Sequence, residues 1–110
     1  MTLNHVHCSV CDLKAAIQWL REVWVAEPTF ANDRMAAVPF GAFTVILDQS
    51  DKDTCATIGF ESADCDADYS TVVARGAVPL QPPANRAWGA RSAYLRGPGA
   101  ITFEIEQALT

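Results

Sequence analysis

The stretches HVHCSVCDL (residues 5–13) and TIGFESADC (residues 57–65) decide the fold, because each reads as a strand running into a helix and the two superpose as copies. Superposed, His5 falls on Thr57 and Asp12 on Asp64. The far ends of the copies match too. TVILDQ (44–49) lies on TFEIEQ (102–107), which puts Thr44 on Thr102, Ile46 on Glu104 and Gln49 on Gln107. Self-similarity within a chain implies a repeated structural unit.

Working outward, each copy reads as strand, helix, then further strands. Side chains of a strand alternate between two faces, so in strand 3–10 His5, His7 and Ser9 point one way and Val6, Cys8 and Val10 point to the core. Asp12 is a residue type that caps helix N-termini. Leu13, Ile17, Leu20 and Val23 or Trp24 then recur at helical spacing and pack on the Val6/Cys8/Val10 face. Pro28 and Asn32-Asp33 punctuate a weak strand near 27–31, followed by strands at 34–39 and, after Gly41, at 42–48. Ser50-Asp51-Lys52-Asp53 is a polar connector. The second copy repeats the order: strand 54–62, a cap at Asp64, a helix at about 66–75 carrying Tyr69, Val72 and Val73, and a stop at Gly76. Strands follow at about 77–81, 90–96 and 100–107. The expected architecture is α+β, a single domain of two βαβββ modules (about 1–50 and 54–110) forming a curved sheet around a groove. By alternation Glu61, Ser92, Tyr94, Thr102, Glu104 and Glu106 face the groove, whereas Arg91 points away from it.

Composition narrows the function classes. A net charge of −5 argues against nucleic acid and anionic membrane surfaces as partners. No secretory signal, transit peptide or apolar run of membrane-spanning length is present, so a cytoplasmic protein is expected. Cys8 and Cys11 have the spacing of a zinc knuckle, but on a strand that spacing sends the two sulfurs to opposite faces, and Cys55 and Cys65 form no matching pair. The four cysteines read as small apolar residues of a reduced interior. Half of the residues are hydrophobic, high for a small monomer, so part of the surface is expected to be an interface.

The pattern H-x-x-x-x-V-x-D-L from His5, the run G-A-x-x-x-x-P-P from Gly76, W-G-x-R-x-A-Y-x-R-x-P-G from Trp88 and the closing I-x-F-E-I from Ile101 together resemble the vicinal oxygen chelate superfamily. That group includes glyoxalase I, fosfomycin-resistance enzymes, extradiol dioxygenases and bleomycin-resistance proteins. The resemblance covers essentially the whole chain and implies paired modules curving around a groove. One departure is the turn before the last strand, usually acidic and ending in asparagine, which here reads Gly97-Pro98-Gly99-Ala100.

In the metalloenzymes of this superfamily four groove positions hold a divalent ion, and carried over they fall at His5, Ile46, Thr57 and Glu104. A first-row metal site draws on about three or four nitrogen, sulfur or oxygen donors. Isoleucine offers none and threonine seldom does. His7 shares a face with His5, but two residues along a strand set the side chains about 6.6 Å apart, far for a shared ion. Asp48 stands in the same relation to Ile46. The resemblance therefore implies a metal-free binding protein of the bleomycin-resistance type, with no cofactor and more binder than enzyme. It would sequester a planar, cationic small molecule in the groove of a homodimer through His5, His7, Ile46, Thr57, Trp88, Tyr94 and Glu104. The alternative is a metal-dependent lyase, isomerase or dioxygenase using His5 and Glu104, and a ligand-sensing module is a third reading. Without chemistry, the same histidines and carboxylates serve as hydrogen-bonded or solvated groove residues. For Glu61 and Glu104, Arg91 and Arg96 are the expected structural partners.

Overall fold

The computed structural model of the chain describes residues 1–110. Its elements run β1 (His5–Val10), α1 (Leu13–Trp19) continued by a π-turn (Leu20–Trp24), β2 (Phe30–Ala31), β3 (Met35–Phe40), β4 (Phe43–Gln49), β5 (Ala56–Glu61), α2 (Cys65–Ala74), β6 (Pro79–Asn85), β7 (Ala90–Arg96) and β8 (Ile101–Ala108). The βαβββ order thus occurs twice in an α+β chain. Hydrogen bonds join the strands into two four-stranded sheets, β1-β4-β3-β2 and β5-β8-β7-β6. The chain divides into two compact units, Met1–Thr54 with Pro98–Ala100, and Cys55–Gly97 with Ile101–Thr110.

In the first unit β1 pairs in parallel with β4, Cys8 beside Leu47 and Val6 beside Val45, and β3 joins β4 antiparallel with Ala36 beside Leu47 and Val38 beside Val45. Cys8, Val10, Ala36, Val38, Val45 and Leu47 are all buried, as are Leu13, Ala16, Ile17, Leu20 and Val23 from the helix. Val6 departs from the alternation. It lies at the start of the edge strand β1 and is 37% exposed, so core burial begins at Cys8.

The second unit repeats this with β5 parallel to β8 and β7 antiparallel to it. Ala93, Leu95, Ile101, Phe103 and Ile105 form its core with Cys65 and Val72 of α2.

The repeat extends to how the helices begin. Asp12 accepts a hydrogen bond from the Ala15 amide at 3.0 Å, and Asp64 from the Ala67 amide at 3.1 Å. A second acceptor comes from the strand that closes each unit. Gln49 Oε1 accepts the Leu13 amide at 2.9 Å, and Gln107 Oε1 accepts the Cys65 amide at 2.9 Å. The first turn of a helix leaves amides with no intrahelical partner. Each unit satisfies two of them with the same two residue types.

Two elements differ from the sequence expectation. The first helix ends in a π-turn that carries no glycine. Instead Val25 takes the left-handed conformation (φ 55°), a region that costs a β-branched residue roughly 1–2 kcal/mol. Strand β6 is shifted and longer, reaching Asn85 through Pro82-Pro83 rather than ending at 81. Proline is tolerated there because β6 is an edge strand, and the register with β7 slips on both sides of Gln81.

All four cysteines are free thiols, Cys8 and Cys65 buried, Cys11 and Cys55 exposed. Burial pushes the Cys8 and Cys65 thiols up, with neighbouring carboxylates, Asp48 and Asp66 respectively, adding to the effect.

Candidate functional site

Each unit has one sheet face that carries polar side chains. On the first, His5, His7 and Ser9 of β1 lie beside Thr44, Ile46 and Asp48 of β4. His7 Nδ1 sits 2.9 Å from Asp48 Oδ2. An ionised carboxylate only accepts, so Nδ1 carries a hydrogen, and in the neutral tautomer Nε2 then holds the lone pair. His5 Nδ1 donates in the same way to Asn4 Oδ1 at 2.6 Å. The two imidazoles meet edge to face with centroids 5.5 Å apart, closer than the strand repeat of about 6.6 Å, which corrects the expectation that the pair is too far apart to share an ion. Ile46 is half-buried between His7 and Ala37.

On the second unit the register sets Thr57 beside Thr102, Gly59 beside Glu104 and Glu61 beside Glu106, with Tyr94 and Ser92 across from Glu104 and Glu106. Gly59 supplies no side chain here. A Cβ at that position would lie 3.4 Å from Glu104 Oε1, so the carboxylate rests against the bare backbone. Tyr94 stands directly across from Glu104, and the carboxylate raises the pKa of the phenol. Trp88, in the turn between β6 and β7, points its indole Nε1 at Glu106 Oε2 at 3.4 Å and remains 62% exposed. Gly59, Phe60, Glu61, Glu104, Glu106 and Ala108 line an open depression of about 340 Å³.

Arg86 organises the other side of Tyr94. It donates to Ser92 Oγ at 2.9 Å and to the Ser92 carbonyl at 3.1 Å, and its guanidinium carbon lies 5.4 Å from the Tyr94 ring centroid. A cation over an aromatic face is attracted by the ring quadrupole. Ser92, fully buried on a polar face, is explained by this cover.

Burial pushes the Tyr94 hydroxyl above its ordinary value and the bond to Glu104 pushes it further, against smaller opposing effects of Ser92 and Arg86. A raised phenol favours the neutral form in the folded state. The stability tied to it is complete below the ordinary tyrosine value, about 10, and is lost as pH rises from there through the folded value. Absorbance titration at alkaline pH is expected to show one of the two tyrosines ionising late, and Glu104→Gln is expected to bring that step to lower pH. An unchanged titration curve in Glu104→Gln would refute the coupling.

Of the residues expected from sequence, His5, His7 and Ile46 share one face of the first unit, and Thr57, Tyr94 and Glu104 share one face of the second, with Trp88 at its edge. Arg91 turns away as expected and pairs with Asp66 at 3.1 Å and Asn85 at 3.0 Å, so it is not the partner of Glu61 or Glu104. Sequence reasoning did not single out Arg86, nor Asp48 as the partner of His7. The Asp48 pairing depends on the parallel register of β1 on β4, and Arg86 follows the proline pair, where no periodicity points. No group of three or more His, Cys, Asp and Glu side chains is placed to hold a metal ion, and no helix is long and apolar enough to cross a membrane.

The sequence matches no family model and no curated protein. Among solved structures, a glyoxalase/bleomycin resistance protein/dioxygenase from Nocardioides superposes with a TM-score of 0.87 at 18% identity, over 99% of this chain and 84% of that one. A member of the glyoxalase/bleomycin resistance protein/dioxygenase superfamily from Sphaerobacter thermophilus gives 0.82 at 23% identity, over 97% of both chains. A glyoxalase-related enzyme from Fulvimarina pelagi gives 0.79 at 16% identity, over 97% and 88%. The shared property at these identities is the fold.

Proposed function

We propose that this chain is a small-molecule-binding member of the glyoxalase/bleomycin resistance/dioxygenase superfamily, of the bleomycin-resistance type, holding a planar cationic ligand by direct side-chain contact. The observation that carries the reading is the polar face of the second unit. Glu61, Glu104 and Glu106 lie together there, and none of the chain's ion pairs supplies them with a lysine or arginine. An exposed indole and a tyrosine flank them. Uncompensated negative charge beside aromatic faces suits a flat cation, each contact contributing on the order of 1 kcal/mol. Thr57 adds a hydroxyl to this face, and His5, His7 and Ile46 lie together on the polar face of the first unit.

The ligand set that the metalloenzymes of the fold imply does not fit these residues. Of His5, Ile46, Thr57 and Glu104, one is a half-buried hydrocarbon and one a hydroxyl, which leaves a single imidazole and a single carboxylate as strong donors. This favours binding over metal-assisted catalysis. A homodimer completes the proposal, supported by the unpaired edges of β1, β2, β5 and β6 and by exposed Phe30, Val78 and Leu80.

Titration with bleomycin and other planar cations, followed by tryptophan fluorescence, tests the reading. Saturable binding is expected, weakened several-fold by Trp88→Ala and by Glu104→Gln with the melting temperature nearly unaltered, and sedimentation of the same samples is expected to show a dimer. Parent-like binding by both variants would refute the site, and a monomer at micromolar concentration would refute the assembly.

A further inference from the structure

We propose that His5 and His7 form a two-imidazole site on β1 for a divalent transition-metal ion such as nickel or copper. It differs from the four-position set of the metalloenzymes, sharing only His5 with it and lying on a single strand. Three observations converge. First, each Nδ1 faces an oxygen acceptor, His7 to Asp48 and His5 to Asn4, so in the neutral rings Nε2 is the nitrogen free to bind a metal. Metal-binding histidines almost always donate their other ring N–H to an oxygen acceptor, which fixes tautomer and orientation. Here two adjacent histidines have that support before any ion arrives.

Second, the spacing fits. An imidazole nitrogen binds such an ion at about 2.0–2.1 Å, which puts the ring centroid about 3.2 Å from the metal, so two rings subtending roughly 110–120° have centroids about 5.2–5.5 Å apart. The observed separation is 5.5 Å, with the rings steeply inclined at 72°. Third, the pair is open. His5 is exposed and the His7 side chain is 55% exposed, so an ion can reach the pair and water can complete its shell. Imidazole donors suit nickel, copper and zinc, and the intrinsic order of affinity places zinc below copper. With only two protein ligands the ion exchanges readily.

Asp48 acts as a positioning residue, since it touches the imidazole and not the metal. Losing such a partner typically costs 10–100-fold in affinity.

The test is calorimetric titration of the parent protein with nickel(II), together with paramagnetic broadening of its histidine ring resonances. One nickel per chain at micromolar affinity is expected, with the His5 and His7 ring signals broadened first. His5→Gln and His7→Gln should each weaken binding at least tenfold, Asp48→Asn about tenfold or more, and Asp48→Glu should recover part of the loss. Trp88→Ala removes a contact of the proposed organic ligand and should leave nickel binding unchanged, which separates this site from that reading. Parent-like nickel affinity in the His5→Gln, His7→Gln double variant, broadening centred on other residues, or no binding to the parent would each overturn the proposal.

Discussion

Phe103→Ala is expected to remove about 3–5 kcal/mol of unfolding free energy. A domain retains only about 5–15 kcal/mol in total, so the variant should be largely unfolded at 37 °C or lose much of its denaturant tolerance. Phe103 is 1% exposed and leads the fully buried side chains by volume. It sits on β8, with Ile58 of β5 on one side, Leu95 of β7 on the other, and the Phe60 ring at 4.8 Å. Truncation therefore removes a ring from a place where several rigid elements meet and none can close the gap. Urea unfolding followed by circular dichroism measures the loss. Phe30→Ala is the control, since Phe30 is 51% exposed and should change stability by only a few tenths of a kcal/mol. A loss below about 1 kcal/mol for Phe103→Ala would mean that the second core is packed differently.

The second large effect is expected at Gly97. A Cβ there would lie 2.9 Å from the Ile101 carbonyl oxygen and 2.9 Å from Phe103 Cδ1, with Cε1 at 3.2 Å. The Gly97 amide is tied to that same carbonyl at 2.8 Å, so the backbone cannot back away without giving up the bond. Overpacking of this kind costs roughly 1–3 kcal/mol. The cause differs from that at Gly41, where φ is +63° and space is open, and where the penalty of alanine is conformational. A double-variant cycle separates the parts of the clash. Phe103→Leu removes the ring that the new methyl meets but leaves the carbonyl, so Gly97→Ala should cost less in that background without becoming neutral. Equal cost in both backgrounds would show that the ring plays no part.

The fold was legible in the sequence to the extent that it is local. Alternation over residues 5–10 and 101–107, the caps at Asp12 and Asp64, and the correspondence of the two halves follow from spacing and residue chemistry, and the repeat reaches down to Gln49 and Gln107 performing one role. What escaped depends on neighbours far along the chain. Val6 looks like core until β1 proves to be an edge, and Pro82-Pro83 argues against a strand until β6 proves to be one too. The π-turn left no sign because its left-handed residue is Val25 and not a glycine.

For the site, parity placed His7, Tyr94 and Glu104 on polar faces, but not the partner each would find. Those partners are set by cross-strand register and by a turn, as with Asp48 and Arg86, and His7 and Asp48 stand 41 positions apart in the chain. Charge pairing by sequence order pointed to Arg91, which a helix carboxylate claims instead.

The order of strands within each sheet also governs synthesis. In both units the strand made last occupies an interior position, β4 between β1 and β3 and β8 between β5 and β7. A nascent unit that lacks it has a first strand and a third strand with nothing to join them, and a helix that has lost one of the strands it packs on. Parallel pairing of first with last adds the entropy of closing a long loop before any ladder bond is gained. The closing strand also brings the glutamine that satisfies the helix's first amide, so sheet and helix are completed by one arrival. Each sheet is therefore completed only by its last-made strand, and the first unit takes in Pro98–Ala100 from near the end of the chain as well.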